Sequence, residues 1–140
     1  VIRTPFSHSR VDRKVLCQES FCAVGVRELF PSSLPDALTL EALQSLSLLG
    51  YRRWERIIQE TCRKQDFSLY FRCLADDARC CLQWAQAGLG IALVPESVVS
   101  LSHGLTAVPV EEAALASQVC LVRKKGRSLH ETARLFWTNY

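Results

Sequence analysis

Residues 82–97 read LQWAQAGLGIALVPES, and no other stretch constrains the fold as tightly. A helical pattern runs into Gly88, breaks at Gly-Leu-Gly, and resumes as Ile91-Ala92-Leu93-Val94 before Pro95. Glycine takes positive φ without a Cβ penalty, so Gly88 suits a left-handed helix stop and Gly90 a close helix–strand contact. Four apolar residues are too few for a helix, and proline cannot donate to a sheet ladder. The stretch predicts helix, tight turn and buried strand: one step of an α/β sheet.

Working upstream, Asp76 and Asp77 open that helix, and either suits its N-cap and the positive end of its dipole. Its core stripe is Ala78, Cys81, Leu82 and Ala85. Residues 67–73 predict a strand with Phe67, Leu69, Phe71 and Cys73 on one side. Before it, Trp54, Ile57, Ile58, Thr61 and Cys62 recur at i, i+3, i+4, i+7, i+8, one face of a helix that starts at Arg53. Residues 46–49 predict a buried strand closed by Gly50. This alternation of strand and helix favours parallel pairing.

Further out the pattern is less regular. Residues 1–6 (VIRTPF) read as the tail of a buried strand turning at Pro5, and 7–14 as a polar loop. Residues 15–27 make one long strand or two short ones, with Gly25 near an edge or bulge. A Pro/Ser-rich connection (31–37) precedes Thr39, which caps a short helical turn. Downstream, 98–101 form a turn of helix, and 105–110 and 117–122 form strands. A basic turn (123–127) leads to Ser128-Leu129-His130-Glu131, which has the form of a capping box. The final helix sets Leu129, Ala133, Phe136, Trp137 and Tyr140 on one face.

At 140 residues, 49% hydrophobic and 22% charged, the chain is one globular domain or two small lobes sharing a sheet. No apolar run approaches the ~18 residues that span a bilayer, so no membrane partner is expected. A net charge of +3 neither demands nor excludes nucleic acid, and no Lys/Arg block stands out to carry phosphate contacts. The seven cysteines, Cys17, Cys22, Cys62, Cys73, Cys80, Cys81 and Cys120, form no C-x-x-C pair. An odd number without a secretory signal reads as small hydrophobes in a reducing, cytoplasmic setting rather than disulfides or zinc. The sequence calls for no cofactor and no metal.

With these pieces in order, the chain resembles the effector-binding domain of LysR-type transcriptional regulators. The resemblance is carried by IRTPF (2–6), LTLEALQSLSLL (38–49), WAQAGLGIALVPES (84–97), GLTAVPV (104–110) and VCLVRKKGRSLHETARLFWTNY (119–140). It departs at Arg27-Glu28, where the family usually shows His-Pro. The resemblance implies an α/β, two-lobed, periplasmic-binding-protein-like (type II) fold, here N-terminally truncated with lobe one incomplete. It implies 1–45 as the first part of lobe one, 46–97 as lobe two, and 98–140 as the crossover back with the C-terminal helix. A small-molecule effector, anionic or aromatic, would bind between the lobes. DNA would be contacted only through a missing N-terminal domain, in a homodimer or homotetramer of the full-length protein.

In an open α/β sheet the ligand sits beyond the carboxyl ends of the strands. Three such ends offer candidates. At Arg3-Thr4-Pro5 a guanidinium and a hydroxyl are available to a carboxylate, although Arg3 could equally be a solvated surface residue. At Tyr51-Arg52 a guanidinium stands at a helix start, where free N–H groups favour an anion; the family uses this turn for ligand contacts. At Leu74-Ala75-Asp76 the family often carries a small hydroxyl or amide. Asp76 would instead repel an anion, accept from a hydroxyl or amine, or simply cap the helix. Val94 is a candidate for the pocket floor, with core packing as the plainer role.

Two rival functions share parts of this pattern. A solute-binding transport component has the same two lobes but needs export, which the scattered cysteines disfavour. A thiol enzyme could place Cys73, Cys80 or Cys81 near a helix N-terminus, which lowers a thiol pKa. Its base would have to be His8, His103 or His130, none beside a cysteine in sequence, so no catalytic residue is expected.

Overall fold

The computed structural model describes residues 1–7 and 9–140. In chain order the elements are β1 (Ile2–Arg3), β2 (Val11–Glu19), β3 (Phe21–Gly25), β4 (Leu48–Tyr51), α1 (Arg52–Lys64), β5 (Phe71–Ala75), α2 (Ala78–Gln86), β6 (Ile91–Pro95), β7 (Thr106–Val110), β8 (Ser117–Lys124) and α3 (Glu131–Asn139). They fall into two units: Val1–Glu19 with Ser117–Tyr140, and Ser20–Ala116. These limits differ from 45/46 and 97/98. The reason is that β3 and β7, expected in lobe one, are hydrogen-bonded into the sheet of the second unit.

That sheet has five strands in the order β5-β4-β6-β3-β7. β4 is parallel to both β5 and β6, while β3 is antiparallel to β6 and β7. Among these strands the parallel pairs are those whose crossovers run through helices. Alternate side chains face opposite layers, as a period of two requires. Phe21, Ala23, Ile91 and Leu93 pack with Trp54, Ile58 and Cys62 of α1. Cys22, Val24, Ala92 and Val94 pack with Cys81, Leu82 and Ala85 of α2. The predicted stripe of α2 is buried in full.

The glycine break divides its two tasks. Gly88 has φ +74° and open space around its Cα, the left-handed helix stop. Gly90 serves close approach, but to backbone rather than a helix: a Cβ there would lie 2.6 Å from Ser47 O. Ile91 N donates to that same carbonyl at 2.7 Å.

Several local expectations are corrected. The third predicted strand begins at Phe71, not 67, and runs to Ala75, with Cys73 exposed. Residues before it leave α1 through Asp66 at φ 62°. Leu69 is buried there without a strand, its carbonyl accepting from Gln59 Nε2 at 2.7 Å. Thr39 does cap its turn, Oγ1 accepting from Ala42 N at 3.2 Å.

The first unit is a three-stranded antiparallel sheet, β1-β8-β2, with α3. β1 is a two-residue, half-buried edge strand rather than the tail of a buried one. Residues 11–14 are strand rather than loop; across the ladder Arg123 Nε donates to Asp12 Oδ2 at 3.0 Å. The long segment is two strands, and its register slips between Val15 and Cys17. The capping box does not form: α3 starts after His130, with no side-chain cap. Trp137 ties α3 to the sheet, with Lys14 Nζ 5.4 Å and Arg123 Cζ 4.8 Å from its ring centre. Among the described residues, no helix is long and apolar enough to cross a membrane.

Candidate functional site

The parallel register of β4 and β5 pairs Gly50 with Leu74 and Tyr51 with Ala75, so both strands end at one level. β4 passes directly into α1 at Arg52, and β5 passes through Asp76 and Asp77 into α2. Tyr51, the residue before α1, is extended (φ −88°, ψ 107°) and gives the helix no side-chain cap. The positive end of the helix dipole lies at this strand end.

Arg52 lies across this edge. Its Nε donates to Asp76 Oδ1 at 2.7 Å and its Nη2 to Leu74 O at 3.3 Å. The pair is open to solvent, with Arg52 54% and Asp76 84% exposed. Asp76 is available because Asp77 does the capping, its Oδ1 accepting from Arg79 N at 2.8 Å. Arg79 also places its guanidinium on the Asp77 carboxylate at 2.7 Å. Those hydrogen bonds hold the Asp77 carboxyl below its ordinary range. Tyr51 is half-buried and packs against both core layers.

Tyr51, Arg52, Leu74, Ala75 and Asp76 thus come together in the second unit. Val94 is fully buried in the layer under α2, together with Ala75. It is a core residue and offers no surface at this edge. Arg3, Thr4 and Pro5 lie in the first unit, each half-buried. Arg3 is ion-paired with Glu19, a carboxylate only 8% exposed, rather than solvated. Thr4 Oγ1 accepts from Gln118 N at 2.8 Å, and Thr4 N donates to Gln118 O at 2.9 Å. Both side chains therefore hold β1 to its own sheet. Glu19 escaped notice in the sequence because a lone carboxylate at a strand end carries no signal of burial.

Three of the buried thiols are held away from the reactive thiolate form. Burial pushes Cys22 and Cys81 up to about 11, and raises Cys62 as well. Cys81 Sγ donates to Gly50 O at 3.4 Å, which fastens α2 to the end of β4. His8 lies outside the described residues. Among the described residues, no three His, Cys, Asp or Glu are grouped to hold a metal. Iodoacetamide is expected to modify Cys17, Cys73 and Cys80 in the native protein, and Cys22, Cys62, Cys81 and Cys120 only on unfolding. Peptide mapping by mass spectrometry checks this; early modification of Cys81 would contradict its place under β4.

The family model of the LysR substrate binding domain matches residues 1–139. Among solved structures, full-length CbnR complexed with the target DNA is 14% identical with a TM-score of 0.78, over 96% of this chain and 48% of that one. The effector binding domain of QuiR in complex with shikimate is 12% identical at 0.78, over 97% and 67%. The Synechocystis CcmR regulatory domain in complex with 2-PG is 14% identical at 0.78, over 99% and 69%. No curated protein sequence matches the chain. The chain spans about half the length of full-length CbnR. At these identities the structural likeness is one of fold, that of the two-lobed, type II periplasmic-binding-protein-like effector domains. Family membership rests on the match over nearly every residue: this chain belongs to the LysR substrate-binding-domain family.

Proposed function

We propose that this chain is the effector-sensing part of a LysR-type transcriptional regulator, and that its ligand binds at the edge built by Tyr51, Arg52, Leu74, Ala75 and Asp76. One observation carries the reading: two parallel strands end level beside an uncapped helix start, with a guanidinium laid over them. A positive dipole end and a planar fork of donors suit a small carboxylate or phosphate. Two proteins of the same fold hold a small molecule, shikimate in QuiR and 2-PG in CcmR.

The protein would act in the cytoplasm as a homodimer or homotetramer, without catalysis, and contact DNA through polypeptide outside this chain. A ligand changes such an assembly only by binding one arrangement more tightly than another. The family match supports regulation over solute transport, although the two share an architecture.

The test is a thermal-shift screen of small carboxylates, aromatic acids and sugar phosphates, followed by calorimetry. Arg52→Ala is expected to weaken an anionic hit by about 1.5–3 kcal/mol, the size of a lost charge-assisted hydrogen bond. The fold should not suffer, because an exposed ion pair contributes at most ~1 kcal/mol. Unchanged affinity would remove Arg52 from the site.

A further inference from the structure

We infer that the ligand of this edge is a zwitterion of the α-amino-acid type, its ammonium received by Asp76 and its carboxylate by Arg52 with the start of α1. The inference deepens the proposed function above and rests on it.

A site built for a plain anion gathers positive charge and keeps carboxylates away. Here a carboxylate stands 2.7 Å from the guanidinium, at the point where an incoming anion would settle. Its repulsion would cancel much of the attraction of Arg52. The arrangement suits a ligand for which Asp76 is an asset.

Three features leave Asp76 free to act. Capping of α2 falls to Asp77, so no backbone amide of that helix draws on Asp76. The neighbouring cation, Arg79, is engaged by Asp77 through its backbone N and its guanidinium. Arg52 takes only Oδ1, and Oδ2 has no partner among the described residues. The guanidinium is similarly half-used: Nε and Nη2 are bonded, while Nη1 has no partner among the described residues. A cation and an anion thus sit side by side, each with an open flank, on a surface whose exposure leaves both reachable. An ammonium and a carboxylate on one carbon meet such a pair together, and neither charge faces its own kind. Tyr51, half-buried and next to Arg52 in the chain, adds an aromatic residue at the same strand end.

The experiment is calorimetric titration of the protein with the standard L-amino acids. Each hit is compared with the carboxylic acid lacking its amino group and the amine lacking its carboxyl. Each analogue is expected to bind at least about tenfold more weakly than the amino acid, from the loss of one charge-assisted bond. Asp76→Asn preserves shape and removes the charge. It should weaken the amino acid by about tenfold or more while leaving the des-amino acid unchanged or tighter, so that the preference collapses. An unaltered melting temperature would show that the variant is folded. If wild-type protein binds the des-amino acid as well as the amino acid, or if the preference survives in Asp76→Asn, the zwitterion is wrong and the anion site stands. If amino acids, carboxylates and phosphates all fail to bind in an Arg52-dependent way, the site itself falls, and this inference with it.

Discussion

Trp54→Ala is expected to lower the unfolding free energy by about 3–5 kcal/mol, the range for truncating a large aromatic in a core that relaxes only in part. Trp54 is 2% exposed and meets Phe21 edge-on, with ring centres 4.9 Å apart at 63°. Its layer draws on β3, β4 and β6 as well as α1, and a sheet fixed by hydrogen bonds on both sides of β4 and β6 cannot close over the void. One contribution runs the other way. The indole Nε1 is buried without a hydrogen-bond partner among the described residues, a cost that disappears with the side chain. Trp54→Phe separates the two effects: it keeps most of the volume and drops the orphaned donor, so it should cost well under ~1.5 kcal/mol. Urea denaturation of both variants reads the difference, and an alanine variant losing less than about 1 kcal/mol would contradict this packing. Trp54 also stands in the first turn of α1, two residues after Arg52. Loosening that turn would reach the candidate site.

What could be read from the sequence was what is decided within one element. The stripe Ala78, Cys81, Leu82 and Ala85 needs only helical spacing, and all four residues are buried as that spacing demands. Gly88 needs only its own φ. Residues 11–14 misled because their partners are remote in sequence: Asp12 meets Arg123, fixed by the register of β2 with β8. Leu69 looked like a strand residue because it falls in the alternation of Phe67, Leu69, Phe71 and Cys73, but its carbonyl is satisfied by Gln59 rather than by a ladder. The site divides in the same way. The place of Tyr51 and Arg52, at a strand end and a helix start, was legible in the local pattern, and the general rule that such ends receive ligands made them candidates. The pairing of Arg52 with Asp76 was not, because it depends on Tyr51 lying level with Ala75 and on Asp77 taking the cap. Local sequence ranks Asp76 and Asp77 equally as caps; only the folded turn assigns them different partners.

Gly90→Ala should also be costly, at the upper end of the ~1–3 kcal/mol typical of overpacking. The new methyl would sit 2.6 Å from Ser47 O and 3.0 Å from Leu49 Cγ. The first of these atoms decides the outcome. Ser47 O belongs to backbone held by Ile91 N at 2.7 Å, so relief means separating the ends of β4 and β6 where their pairing begins. Gly50→Ala looks as crowded by distance, with Leu74 Cδ2 at 2.6 Å, but its neighbours are side chains of an edge strand that can turn aside. Gly88→Ala meets nothing within 4 Å and pays only for its φ of +74°, roughly 1–2 kcal/mol for an L-residue in the left-handed region. Chemical denaturation of the Gly88 and Gly90 variants should therefore rank Gly90→Ala as the more damaging. The opposite order would mean that the strain lies in the turn and that β6 is free to move away from β4. Because β4 ends at Tyr51 and hands the chain to Arg52, a shift at Gly90 is transmitted along four residues of strand to the candidate site. A Gly90→Ala protein that remains folded should consequently bind ligand more weakly than the Gly88→Ala protein, although neither glycine touches the edge.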